Sequence, residues 1–151
     1  MPRLFTALEI PAPIAFSLSL LRGGLPGARW VEPENYHITL RFIGDIDQRT
    51  ADEIAQALER VDRPGFDLSL ESLDAFGTKK PQAIVATVKN SPALKELQAA
   101  QERIVQMIGL EPERRRFRPH VTLARLKGVS EPDIATYLAL RGGFRTSPFP
   151  V

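Results

Sequence analysis

The chain has 151 residues, 43% of them hydrophobic and 25% charged, with a formal net charge of +2 and no cysteine. That size and balance fit one compact folded unit with an ample core and leave no segment polar enough for disorder. The lack of cysteine excludes disulfides, thiolate nucleophiles and Cys-based zinc or iron–sulfur sites, and is compatible with a reducing cytoplasm.

Leu4 to Ile10 is short, apolar and stopped by Pro11, which predicts a buried first strand. Pro13 suits the first turn of a helix in which Ile14, Leu18 and Leu21 recur at helical spacing, and Gly23-Gly24 with Pro26-Gly27 opens a loop. The apolar run from Ile14 to Leu21 contains Ser17 and Ser19 and is far too short to span a bilayer. After Trp30-Val31, His37 to Gly44 alternates as a strand, with His37, Thr39 and Arg41 on one face and Ile38, Leu40 and Phe42 on the other. Thr50-Ala-Asp-Glu53 reads as a capping box for a helix with an apolar stripe of Ile54, Leu58 and Val61, closed by Pro64-Gly65.

Phe66 to Phe76 and Ala83 to Val88 read as two strands joined by an exposed basic loop, Gly77-Thr78-Lys79-Lys80-Pro81. Ser91-Pro92 starts the longest helix, whose Leu94, Leu97, Ile104 and Ile108 keep phase until Gly109. Phe117 to Leu126 is expected to be a strand, Ser130-Glu-Pro-Asp133 to cap a last helix reaching about Leu140, and Phe144 to begin another strand. The order predicts an α+β duplication in which each half contains a strand followed by a capped helix.

The halves are marked by matching tetrapeptides, His37-Ile38-Thr39-Leu40 and His120-Val121-Thr122-Leu123, which hold the only two histidines of the chain. In a strand, residues two apart point the same way, so each His-x-Thr presents an imidazole and a hydroxyl to one groove. Histidine titrates near neutrality, so one copy can serve as a base while the other, protonated, serves as an acid. Such a pair suits in-line displacement at a cyclic phosphodiester, with threonine hydroxyls donating to the phosphate oxygens as their charge grows. A lone His-x-Thr would more often be a packed strand residue; two copies using every histidine favour function.

Charge supports an anionic substrate. Between Glu111 and Lys127 stand Arg114, Arg115, Arg116, Arg118, Arg125 and Lys127 against Glu111 and Glu113, which focuses positive potential beside His120. Arg41 shares the strand parity of His37, whereas Arg125 is an odd offset from His120 and needs a bulge or a strand end to face the same groove. Trp30, Phe42 and Phe117 are expected in the core rather than stacked on a base. Metal chemistry does poorly, because two histidines have no carboxylate at a suitable spacing and no cysteine. Neither a P-loop nor a glycine-rich dinucleotide fingerprint is present.

The stretches Trp30 to Asn35 leading into His37-Ile-Thr-Leu-Arg-Phe-Ile-Gly44, and Arg116-Phe-Arg-Pro-His-Val-Thr-Leu-Ala-Arg125, resemble the bacterial and archaeal RNA 2′,3′-cyclic phosphodiesterases, first described as 2′-5′ RNA ligases, of the two-histidine phosphoesterase superfamily. The resemblance implies a bilobal α+β fold over 1–151 with pseudo-twofold symmetry around a central groove. It implies hydrolysis of RNA 2′,3′-cyclic phosphate ends to 2′-phosphate without metal or cofactor, with 2′-5′ ligation as a further activity. By position, His37 would be the proton donor, His120 the proton acceptor, and Thr39, Thr122 and Arg125 the phosphate-binding residues. Expected partners are RNA with a cyclic phosphate end, tRNA halves among them, and no membrane, with the chain acting as a cytoplasmic monomer. The family pattern continues with further strands, so the second lobe is expected to be incomplete at Val151. Two other readings are a non-catalytic RNA-end binding module and a phosphodiesterase for a small cyclic nucleotide.

Overall fold

Two strands with buried alternate residues and a polar opposite face must sit where one side of a sheet is covered and the other open, and both histidine strands do. The computed structural model describes residues 3–60, 65–77 and 80–151. In chain order the elements are β1 (Arg3–Glu9), α1 (Ala12–Ser19), β2 (Ala28–Trp30), a 3-10 turn (Pro33–Asn35), β3 (His37–Asp45), α2 (Gln48–Glu59), β4 (Asp67–Leu68), β5 (Leu70–Phe76), β6 (Ala83–Val88), α3 (Pro92–Ile108), β7 (His120–Leu126), α4 (Glu131–Arg141) and β8 (Phe149–Pro150). The expected α+β duplication is present as β1–α1–β3–α2 followed by β6–α3–β7–α4.

The main sheet has six strands in the order β1-β3-β7-β6-β5, and β2 pairs with β7 outside that path. All pairings are antiparallel. The halves join at β3 and β7 through one bridged residue pair, Ile38 with Val121. Ile38, Leu40, Val121 and Leu123 pack with Leu18 of α1, Leu94 of α3 and Ile134 and Tyr137 of α4. Ile38 and Val121 are 0% exposed, so the dry core runs directly beneath the seam between the halves.

The helix signals hold at α3, where the Ser91 hydroxyl accepts from Leu94 N–H at 3.2 Å, Pro92 stands in the first turn and Gly109 takes φ of +117°. They hold at α4, where the Ser130 hydroxyl accepts from Asp133 N–H at 3.3 Å. Helix α2 starts earlier than its expected capping box. Asp47 is the cap, its carboxylate accepting from Thr50 N–H at 2.8 Å, so Thr50 lies inside the first turn. A carboxylate at a helix N-terminus gains from the helix dipole as well as the hydrogen bond, and here it takes the place of the threonine hydroxyl. Helix α1 ends at Ser19, so Leu21 lies outside it. Val61 and Pro64 of the expected α2 stripe and stop, and Thr78 and Lys79 of the basic hairpin loop, lie outside the described residues.

The expected strand 66–76 divides at Ser69, because its two parts pair with different partners: β4 with β8, and β5 with β6. The expected strand at Phe144 is replaced by irregular chain up to β8, tied down where Thr146 N–H donates to Leu70 O at 3.0 Å and the Thr146 hydroxyl accepts from Leu70 N–H at 2.9 Å. The second motif strand begins at His120 rather than Phe117, since Pro119 has no N–H to offer a ladder.

Candidate functional site

The bridge between Ile38 and Val121 decides how the motifs meet. Continuing that antiparallel register one residue either way puts His37 across from Thr122 and His120 across from Thr39. Each histidine therefore faces the threonine of the other motif, and the four side chains line one open cleft of about 610 Å³.

Both imidazoles are held by the same device. His37 Nδ1 lies 2.8 Å from Asn35 O, and His120 Nδ1 lies 2.7 Å from Arg118 O. A carbonyl only accepts, so Nδ1 carries the hydrogen in each ring and Nε2 is left for the cleft. A neutral ring then offers Nε2 as a base, and a protonated ring offers Nε2–H as an acid. The rings are steadied from the side, His37 by the face of Phe5 at 4.9 Å and 23°, His120 by Phe76 at 4.9 Å and 72°.

A bulge in each motif strand then changes which residues face the cleft. In β3 the pairing with β1 runs Ala7 with Thr39 and then Thr6 with Arg41, passing over Leu40. In β7 the pairing with β6 runs Val85 with Thr122 and then Ile84 with Ala124, passing over Leu123. Both skipped residues are three positions after the histidine, so the duplication extends to this bulge, and β3 alone adds a second register shift that passes over Ile43. An extra residue reverses the phase of the alternation beyond it.

The cleft therefore receives residues at offsets 0, 2 and 5 from each histidine: His37, Thr39 and Phe42 on one strand, His120, Thr122 and Arg125 on the other. Arg125 gains through its bulge the position that simple alternation denied it. Arg41, expected beside His37 and Thr39, instead turns to the opposite face and is 7% exposed. Its Nε donates to Glu102 at 2.6 Å, and its other nitrogens donate to the carbonyls of Phe42 at 2.7 Å and Glu111 at 2.6 Å. Phe42, expected in the core, is 46% exposed and lies parallel to Phe5, also 46% exposed, with ring centroids 6.5 Å apart. Trp30 and Phe117 do pack against the core, Trp30 with its ring 5.7 Å from that of Tyr137.

Phe5 and Arg29 line the cleft as well. Neither was singled out by sequence: Phe5 sits in a strand that reads as buried, and β2, which carries Arg29, is too short to give a periodic signal. The Arg114, Arg115, Arg116 and Arg118 cluster is exposed beside the His120 end. Burial pushes His120 below the ordinary histidine pKa, and the charges of Arg118 and His37 push the same way, against the opposing effect of its bond to the Arg118 carbonyl. Neutral His120 is thus favoured. Among the described residues no group of three or more His, Asp or Glu side chains could hold a metal ion, and no helix is long and apolar enough to cross a membrane.

A family model described as LigT like Phosphoesterase matches residues 8–86 and again 85–151, once for each half. An Aeropyrum pernix protein named RNA 2′,3′-cyclic phosphodiesterase is 38% identical over 113 residues, 74% of this chain and 64% of that protein, so the match spans less than two thirds of the relative. Among solved structures, that of E. coli LigT complexed with 3′-AMP has a TM-score of 0.76 at 26% identity, covering 99% of this chain and 83% of that one. A Thermus thermophilus protein has a TM-score of 0.81 at 21% identity, covering 99% of this chain and 84% of that one, and it speaks to the fold. Duplicated motif strands, the matching bulges and a family model matching both halves lead to one statement: the chain belongs to the LigT-like phosphoesterases.

Proposed function

We propose that the chain hydrolyses RNA 2′,3′-cyclic phosphate ends to 2′-phosphate. The observation that carries this reading is the pair of Nδ1-anchored histidines, each across from the other motif's threonine in one cleft. Water attacks phosphorus as His120 Nε2 takes its proton; the P–O3′ bond breaks and His37 Nε2–H protonates the departing 3′ oxygen. The depressed His120 pKa supports its role as the base. Thr39, Thr122 and Arg125 donate to the non-bridging oxygens, and the paired rings of Phe5 and Phe42 offer a base a stacking surface tolerant of sequence. Both proton transfers run through side chains, so the reaction is read as independent of metal. With a 5′-hydroxyl in place of water as the nucleophile, the same in-line step would form a P–O5′ bond as P–O3′ breaks and so give a 2′-5′ linkage, and tRNA halves fit as one source of such ends.

The direct test is incubation with a short RNA ending in a 2′,3′-cyclic phosphate, chelator present, followed by identification of the product isomer. A 2′-phosphate is expected. A 3′-phosphate would reverse the leaving oxygen, and salt-sensitive binding without turnover would favour the RNA-end binding module.

Two further outcomes follow from the site. Thr122→Val and Thr39→Val each remove one donor to a charged oxygen while keeping shape, and each is expected to lower kcat by roughly 10- to 100-fold at little change in thermal stability. Arg118→Gln removes a cation that disfavours protonated His120 but leaves the carbonyl that holds Nδ1. Without that repulsion the His120 pKa rises, so the acidic limb of the kcat/KM profile is expected to shift to higher pH; an unmoved limb would reject Arg118 as a tuning charge or His120 as the base.

A further inference from the structure

The face of β2 towards the cleft carries one charged residue that the chemistry above does not use. Arg29 pairs directly across the ladder from Arg125. Both are exposed and line the cleft. Side chains in such a pair have Cβ atoms about 5 Å apart, and like charges placed so are destabilising unless something negative lies between or beside them. No side-chain hydrogen bond or ion pair of Arg29 or Arg125 is found among the described residues. Glu32, the carboxylate lining the same cleft, is engaged instead by Arg22 at 3.4 Å.

Strand β2 is also held firmly enough to aim a side chain. Trp30 packs on Tyr137, whose hydroxyl donates to Leu21 O at 2.7 Å, and Val31 N–H donates to Leu123 O at 2.9 Å beside the β7 bulge. The pseudo-twofold makes the cleft unequal at this point. Arg125 occupies the position that Phe42 occupies in the other half, so one end of the cleft is aromatic and the other doubly cationic. A single reacting phosphate, already served by the two threonines and Arg125, leaves the second guanidinium without an anion. An RNA strand supplies one, as the next phosphodiester of its backbone.

Resting on the reading of the cleft as an RNA-end site, we propose that Arg29 is a specificity-determining residue that holds the phosphodiester 5′ to the terminal nucleotide, so that the cleft selects an oligonucleotide over a cyclic mononucleotide. Arg125 serves the reacting phosphate and Arg29 its neighbour along the strand. The plainer alternative is that Arg29 only keeps the short β2 edge from pairing with other chains.

The test compares wild type, Arg29→Gln and Arg29→Lys on a tetranucleotide ending in a 2′,3′-cyclic phosphate and on the cyclic mononucleotide, and measures the binding of a 2′-phosphate-ended tetranucleotide against salt. For Arg29→Gln the ratio of kcat/KM on the tetranucleotide to that on the mononucleotide is expected to fall about ten-fold, through KM, and the slope of log affinity against log salt to shrink by about 0.7, the loss of one phosphate contact to a single strand. Arg29→Lys should keep the slope and recover part of the ratio. An equal loss on both substrates would overturn the proposal by moving Arg29 to the reacting phosphate, and an unchanged ratio and slope would leave only edge protection. If the wild type turned over neither substrate, the hydrolase reading would fail, and the salt slope alone would still decide whether Arg29 contacts the strand.

Discussion

His120→Ala and His37→Ala are each expected to lower kcat on a cyclic-phosphate-ended RNA by about 100- to 10,000-fold, the usual contribution of one positioned acid or base. KM should change much less, because on the proposed reading the threonines and Arg125 still hold the phosphate. The double variant should lose little more than either single one, since acid and base act in the same step and their effects do not add. Each histidine is only partly buried, so thermal stability should change little. Added imidazole is expected to restore part of the rate to the alanine variants, a response that a merely structural role would not give. Unchanged hydrolysis in either variant would remove the two-histidine mechanism.

Glu102→Ala is expected to destabilise the fold by about 3 kcal/mol, which for a domain of this size lowers Tm by roughly 6 to 12 °C. Arg41 is 7% exposed and Glu102 is its only carboxylate partner among the described residues, at 2.6 and 3.3 Å. Removing that carboxylate strands a buried guanidinium. Glu102 also accepts from Glu113 N–H at 2.8 Å and Gln106 at 3.0 Å, so it fastens α3 to the segment that leads into the second motif. Replacing the pair together, Arg41→Met with Glu102→Leu, is expected to recover most of the loss, because the cost lies in the unpaired charge rather than in the missing bond.

The same ion pair has a pH signature. Burial pulls the Glu102 carboxyl upward, but hydrogen bonds from Arg41, Glu113 N–H and Gln106, with the charge of Arg41, outweigh it and hold the group below the ordinary glutamate value. A depressed folded pKa means stability that is present above the unfolded value, about pH 4.3, and lost as pH falls through the lower folded value. Acid unfolding of the wild type should therefore be steeper across that range than unfolding of the double variant. Because Arg41 also donates to the carbonyl of Phe42, a cleft-lining residue just past the bulge, Glu102→Ala should reduce activity as well as Tm.

Local signals in the sequence were sufficient wherever one segment decides its own state. The caps at Ser91 and Ser130, the stop at Gly109 and the alternation of both motif strands from His to Thr are properties of a few neighbouring residues, and each could be read without knowing the rest of the chain. The histidine–threonine spacing belongs to the same class, since period-2 geometry places those side chains on one face whatever partner the strand finds. The misreadings have a common physical cause in pairing. Arg41 and Phe42 changed places because β3 is bulged against β1, and a bulge is written in the register between two strands rather than in either one.

Arg29 was missed for the same reason, as its place in the cleft comes from a three-residue strand with β7 as its partner. By itself, then, the sequence determined the α+β elements, the duplication and the pair of His-x-Thr groups, each with its imidazole and hydroxyl on one face of a strand. Only the tertiary structure decided that each histidine faces the other motif's threonine, that Arg125 and Phe42 line the cleft while Arg41 is buried, and that Arg29 stands against Arg125. Side-chain direction within a strand follows from backbone stereochemistry, whereas register, bulges and strand neighbours are settled by burial summed over the whole sheet.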